Sequence, residues 1–236
     1  MRRMTWDRVF AAFLLPLVLC ILAVLYIIVV PLQGRPFLFV SERMRTPTKQ
    51  FGLLKIRTMH PRESDMSETV LGGDQSWRVT PIGRWLRRTR LDELPQIFNI
   101  LRGEMQFIGP RPPLRVHVLE HPVLYRRVLE ETPPGVTGLA TVMLHAREER
   151  LLRGCRTAEE TEAVYRRRCI PIKARLDLIY SERRCFRLQL LILWMTLSRL
   201  FPRRRAALAQ ADQNRKGSAC SKKLRFGTLV FAKISD

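Results

Sequence analysis

Hydrophobic and polar positions divide this chain unevenly. From Val9 to Leu32 no side chain is charged: VFAAFLLPLVLCILAVLYIIVVPL. As a helix rising about 1.5 Å per residue, the run reaches roughly 36 Å, enough to cross the hydrocarbon core of a bilayer. A helix apolar all round is rare in a soluble core of this size, so the run predicts a membrane-inserted segment rather than a buried core helix. Pro16 lacks an N–H and crowds the preceding turn, which gives the helix a place to bend inside lipid. Arg2, Arg3 and Arg8 precede the run, and Arg35, Arg43 and Arg45 follow it. Basic residues at both ends favour a segment that enters and leaves one leaflet, although a mildly kinked spanning helix satisfies the same pattern. A cleavable signal peptide fits less well, because no small-residue cleavage pattern ends the run.

Downstream the periodicities shorten. Phe37–Val40 and Phe51–Leu54 flank a polar stretch, Ser41–Gln50, and predict a small hairpin. Residues 61–79 read as a polar surface loop. Thr80 as cap, Pro81 in the first turn and the stripe of Ile82, Trp85 and Leu86 predict a helix to Thr89. A second helix is expected to start at Asp92 as cap and run to Leu101, with Leu94, Ile97, Phe98 and Leu101 inward and Gly103 ending it. Residues 109–113 and 133–140 hold too many prolines and glycines for helix interiors and read as rigid loops. Helices are expected over His117–Glu131, despite Pro122, and over Glu159–Arg168. Arg187–Phe201 is mostly apolar and Arg203–Arg205 follow it, which suits a helix at a membrane interface or, equally, one against the core. The last thirty residues are mixed and basic; Phe226–Phe231 there could form a short strand.

Charge narrows the partners. With 42 Lys and Arg against 21 Asp and Glu, the chain carries a formal +21 in 236 residues, a balance suited to nucleic acid, an anionic bilayer surface or phosphorylated substrates. Five cysteines, Cys20, Cys155, Cys169, Cys185 and Cys220, include no CxxC and give no disulfide framework. His117 and His121 stand four apart without a third ligand, so a zinc site is not expected.

The candidate chemistry sits at Arg90-Leu91-Asp92-Glu93-Leu94-Pro95-Gln96. Asp92 and Glu93 lie close to Arg87, Arg88 and Arg90. Read blandly, these are surface ion pairs worth about 0–1 kcal/mol each. Read functionally, one carboxylate attacks phosphorus, its neighbour holds a divalent cation, and guanidinium groups offset phosphate charge. Lys55 and Arg57, two apart, would share a strand face and could meet a diphosphate. Arg111, held between prolines, can offer a bidentate fork.

These residues carry a resemblance. Lys55-Ile56-Arg57-Thr58-Met59, the run Thr80–Gln96, Asn99, Gly103-Glu104-Met105, Phe107–Pro112 and Pro134–Ala140 follow the apolar segment in the order found in the bacterial sugar transferase family, the monotopic polyprenyl-phosphate phosphoglycosyl transferases. The likeness covers roughly residues 5–202 and is strongest in the middle. It implies a mainly helical α+β monotopic membrane protein of the small form: an N-terminal re-entrant helix over residues 1–35, a catalytic domain over 36–205 with short strands and amphipathic interface helices, and a basic extension over 206–236.

The implied reaction moves a sugar-1-phosphate from a UDP-sugar to undecaprenyl phosphate, releasing UMP. Its implied setting is the cytoplasmic face of the bacterial inner membrane, at the first membrane step of glycan assembly, with an anionic bilayer surface as partner, a homodimer allowed and nucleic acid not expected. By matching position, Asp92 is the nucleophile that carries a covalent phosphosugar, and Glu93 the acid that binds Mg²⁺. Lys55, Arg57, Arg87 and Arg111 are substrate-binding candidates, and Pro16 breaks the membrane helix. The family's usual serine before that proline is Leu15 here, which cannot return a hydroxyl hydrogen bond to the backbone. Thr141 stands where glutamine is usual, and a common Gly-Arg-Asn region is replaced by Met143–Arg147, so His145 or Arg147 is the candidate substitute contact. Asp177 matches a late family aspartate that could orient a basic residue. Two other readings are an inactive scaffold for glycan enzymes, against which the intact acidic pair argues, and a membrane-associated nucleic-acid-binding protein, for which no recognisable motif is present.

Overall fold

The computed structural model describes residues 2–60 and 77–200. The expected strand at 226–231, the expected boundary at 205/206 and most of the expected loop at 61–79 lie outside them. Met1–Thr196 form one compact unit; of a second, Leu197–Asp236, only Leu197–Leu200 are described.

The first helix, α1, runs Arg2–Gln33 with Pro16 and Pro31 inside it. From Trp6 to Gln33 it is long and apolar enough to cross a membrane. Ala11, Val18, Leu22, Leu25 and Val29 are buried, and their spacing of three, four and seven residues marks one stripe of the helix. Elsewhere on its circumference Phe13, Leu17, Ile27 and Leu32 are 60–79% exposed. A contiguous apolar face of that kind marks a surface meant for something other than water.

Both ends of α1 are tied to the same unit. Asp7 Oδ1 accepts from Phe107 N at 3.2 Å, and Arg8 Nη2 donates to Arg102 O at 3.2 Å. At the other end Arg57 Nη2 donates to Gln33 O at 2.5 Å and to Gly34 O at 2.6 Å. Both ends of α1 are thus bonded to the same unit, and its buried stripe packs on the core between them. The two prolines interrupt the ladder of helix hydrogen bonds without ending the helix, so Pro16 lies within α1 and not between two helices.

The expected hairpin forms from β1 (Leu38–Met44) and β2 (Gln50–Ile56), antiparallel with Val40 opposite Leu54. It is longer than the apolar runs suggested: Ser41–Met44 belong to β1, paired in register with Leu53 through Gln50 of β2. Helix α2 (Pro81–Thr89) has the expected bounds, and its cap is Thr80, whose side chain accepts from Gly83 N at 2.9 Å.

The helix expected from Asp92 to Leu101 is split. A 3-10 turn, Leu91–Glu93, is followed by α3 (Gln96–Leu101). The bonds here run three residues back, Leu94 N to Leu91 O and Ile97 N to Leu94 O, and Pro95 has no N–H to reach Leu91 O, so the 3-10 turn does not pass directly into α3, and Asp92 caps nothing. Gly103, at φ 72°, closes α3 as expected, its N donating to Ile100 O at 2.8 Å.

Two short parallel strands, β3 (Gln106–Ile108) and β4 (Gly135–Thr137), join the proline-rich loops. The approach is backbone to backbone: a Cβ at Gly135 would lie 2.1 Å from Gly109 N. The expected loop at 133–140 is thus partly strand, and α6 (Leu139–Arg153) begins within it. Between these strands the expected helix at 117–131 is two, α4 (Arg115–Glu120) and α5 (Pro122–Glu131), since Pro122 opens a helix more readily than it continues one. Helix α7 (Ala158–Val164) passes through a π turn, Tyr165–Cys169, into α8 (Ile170–Glu182); α9 (Phe186–Leu200) matches the expected apolar helix. Ile192 of α9 packs with Val142 and Tyr180, while Phe186, Leu190, Leu193 and Trp194 face outward. The helix serves core and surface at once.

Candidate active site

Three short elements build the site. Strand β2 delivers Lys55, α2 delivers Arg87, and the turn after α2 delivers Asp92 and Glu93. Asn99 of α3, the helix that follows the acidic turn, ties it to β2: fully buried, it donates to Gly52 O at 2.7 Å and to Glu104 Oε2 at 2.6 Å, and accepts from Leu54 N at 3.0 Å. A buried amide without these partners would cost about 1–3 kcal/mol, so the arrangement is specific.

The chain turns from α2 into the acidic pair through Arg90, which sits at φ 61°, ψ 15°. A non-glycine residue in the left-handed region carries strain, tolerated where the surroundings over-determine it. Here Arg90 Nη1 lies 3.1 Å from both oxygens of Glu93. Arg111, on the loop after β3, adds a third contact, Nη2 to Glu93 Oε1 at 3.0 Å.

Their ionisation differs sharply. Burial pushes the Glu93 carboxyl up, but Arg111, Arg90 and Lys55 together outweigh it and hold it at about 2. Asp92, 9% exposed with Oδ1 lacking a hydrogen-bond partner, moves the other way. Burial raises it first and the Glu93 charge raises it further, while Lys55, Arg87 and Arg111 pull it down. Arg87 is itself lowered by burial, with Asp92 opposing, and its Nε donates to Thr58 Oγ1 at 2.8 Å. The result is one fixed anion beside a more basic carboxylate, and the second has the character of a nucleophile.

The structure therefore brings together Asp92, Glu93, Lys55, Arg87 and Arg111. Arg57 goes elsewhere: its guanidinium grips the end of α1, a correction to the shared phosphate-facing side expected for Lys55 and Arg57. Arg57 lies one residue past the end of β2, its N still donating to Phe37 O at 2.9 Å. His145 and Arg147 are exposed on α6, Arg147 in a small cleft with Glu148, Cys169 and Lys173. Asp177 is buried in α8, where it feels Lys173 and acts on Tyr125. Two residues outside the sequence-derived candidates also matter. Arg90 stands three before Glu93, an ion-pair spacing visible in the sequence, whereas Glu148 reaches the field at Arg111 only through folding.

Among the described residues no three His, Cys, Asp or Glu side chains cluster to enclose a metal. The acidic pair supplies hard oxygen donors, a set that suits Mg²⁺ when phosphate and water complete the shell.

A family model described as bacterial sugar transferase matches residues 1–203. A UDP-glucose:undecaprenyl-phosphate glucose-1-phosphate transferase of Caulobacter vibrioides is 36% identical over 189 residues, covering 77% of this chain and 63% of that protein. A putative undecaprenyl-phosphate N-acetylgalactosaminyl 1-phosphate transferase of Bacillus subtilis is 39% identical over 127 residues, 54% of this chain and 66% of its own length. An undecaprenyl-phosphate glucose phosphotransferase of Komagataeibacter xylinus is 38% identical over 142 residues, 56% of this chain and 26% of its own. This chain spans between about a quarter and two thirds of the curated relatives it matches.

Proposed function

The chain belongs to the bacterial sugar transferase family, and from that membership we propose that it transfers a sugar-1-phosphate from a UDP-sugar to undecaprenyl phosphate at the inner surface of a bacterial membrane. The observation that carries the reading is the unequal carboxylate pair: a basic Asp92 beside a fixed Glu93 anion, rimmed by Lys55, Arg87, Arg90 and Arg111.

A carboxylate oxygen of Asp92 attacks the phosphorus that bears the sugar. The bond from that phosphorus to the bridging oxygen breaks, UMP departs, and an aspartyl phosphosugar remains. An oxygen of the lipid phosphate then attacks the same phosphorus and Asp92 leaves as carboxylate. Lys55 and Arg87 offset charge that builds on the phosphoryl oxygens, and Arg111 and Arg90 hold Glu93 in place. Glu93, with phosphate oxygens, would hold Mg²⁺, which when bound screens the diphosphate and stabilises the leaving phosphate. Both reactants are anions, so a cationic rim around an acidic nucleophile lowers the repulsion they would otherwise meet.

Re-entry of α1 completes the reading. With both ends bonded to the catalytic unit, the helix would hold the site at the level where a lipid phosphate lies, and Pro16, inside α1, is the position where the segment would bend in lipid.

The test is a screen of the purified, membrane-reconstituted chain with undecaprenyl phosphate, Mg²⁺ and a panel of UDP-sugars, read by UMP release. One sugar should give turnover that requires both lipid and cation. Absence of UMP with every sugar would overturn the reading.

A further inference from the structure

Arg57 is 8% exposed, and the chemistry above does not use it. What its guanidinium grips is backbone: the carbonyls of Gln33 and Gly34 at 2.5 and 2.6 Å. Those carbonyls form the negative end of α1, where a cation is favoured, and Gly34 at φ 74° turns the chain away just beyond it. Gln33 reciprocates. Its Nε2 donates to Arg57 O, and its Oε1 accepts from Thr80 Oγ1 at 2.8 Å. The same Thr80 oxygen caps α2.

From this knot the contacts run on to the acidic pair. Thr80 N donates to Thr58 O at 3.1 Å, and Thr58 Oγ1 accepts from Arg87 Nε at 2.8 Å. Arg87 in turn acts on Asp92. The path has little slack, because a Cβ at Gly83 would lie 2.1 Å from Thr58 O. Helix α2 and the residues after β2 therefore touch backbone to backbone and must shift together.

We propose that Arg57 and Gln33 are positioning residues that couple the seating of α1 to the placement of Arg87 against Asp92. The end of the apolar helix then sets the geometry of the nucleophile. An α1 displaced from the bilayer would loosen the knot, turn α2, and withdraw the guanidinium that offsets charge at Asp92. The inference rests on the proposed transferase reading, and its tests separate the two.

The first test needs no activity. Hydrogen exchange on the full chain in phospholipid vesicles should be at least about fivefold faster across residues 84–90 in Gln33→Ala and in Arg57→Lys, which keeps the charge but cannot span both carbonyls as Arg does. Helix α5, remote from the knot, should exchange as in the unmodified chain. Unchanged exchange in α2 would overturn the coupling whether or not the protein is a transferase.

The second is a double-mutant cycle on UMP release. Gln33→Ala and Arg87→Lys together should cost at least about fivefold less than the product of their separate losses, whereas Arg8→Gln, at the opposite end of α1, should multiply with Arg87→Lys. Multiplicative losses for Gln33 with Arg87 would overturn the proposal while leaving the transferase intact.

Discussion

Arg111 reaches Glu93 across eighteen residues, its Nη2 3.0 Å from Oε1. The contact ties the loop after β3 to the turn after α2, two segments that share no regular element. It also joins Arg90 in keeping Glu93 ionised, so that the adjacent carboxyl can remain the more basic of the two. Arg111→Lys should keep the charge and lose the guanidinium's geometry, lowering kcat/KM about tenfold; Arg111→Ala should lose about a hundredfold, the range expected for one charge-assisted hydrogen bond. Equal losses in both variants would show that geometry, not charge, is what the site needs from Arg111.

Asp92→Asn preserves shape while removing the nucleophile. UMP release should fall to background and no phosphosugar adduct should form, while the protein stays in the membrane fraction because α1 is untouched. Rapid quenching followed by peptide mapping in the unaltered chain should place the adduct on Asp92. Turnover near normal in the variant would remove Asp92 from that role.

Rate should depend on pH through Asp92. The reaction needs its carboxylate, and burial followed by the Glu93 charge raises its pKa above the ordinary aspartate value. Activity should therefore fall on the acid side as Asp92 takes a proton, whereas Glu93, held at about 2, stays ionised throughout. Lys55→Met removes a charge that lowers both carboxyls, so the acid limb of kcat/KM should move to higher pH. A limb moving to lower pH would contradict the placement of Lys55 beside the pair.

Asp177 makes a prediction about stability. Burial pushes its carboxyl up to about 7, with Lys173 alone opposing, and Oδ1 has no hydrogen-bond partner. Its folded pKa lies above the unfolded value, so its contribution is fully present below about pH 4 and is lost as pH rises through about 7. Three units set a ceiling of about 4 kcal/mol on that loss. Asp177→Asn, which cannot ionise, should become progressively more stable relative to the unaltered chain between pH 4 and 7, as read by denaturation midpoints. A difference independent of pH would mean that Asp177 is not buried as described.

The ends of α1 should lie on one side of the membrane. Single cysteines at Thr5 and Arg35, in a chain whose own cysteines are replaced, should both react with an impermeant maleimide added from the cytoplasmic side, and neither from the other. Opposite sidedness would contradict two ends bonded to a single unit.

The sequence by itself determined whatever depends on neighbours along the chain. Twenty-four consecutive uncharged positions specify an apolar helix whatever packs against it. Thr80 followed by Pro81 fixes the start of α2 because cap and first turn are local geometry, and Asp92 and Glu93 stand among arginines before any folding occurs. Folding alone decided which charges meet. Arg57 and Lys55 lie two apart, yet one ends on the carbonyls of α1 and the other beside the acids. Prolines 95 and 122 split helices that periodicity joined, and β4 could be read as loop because its partner, β3, lies almost thirty residues away. Hydrogen-bond pairing and ion pairing over such distances follow from packing, and local pattern carries no record of it.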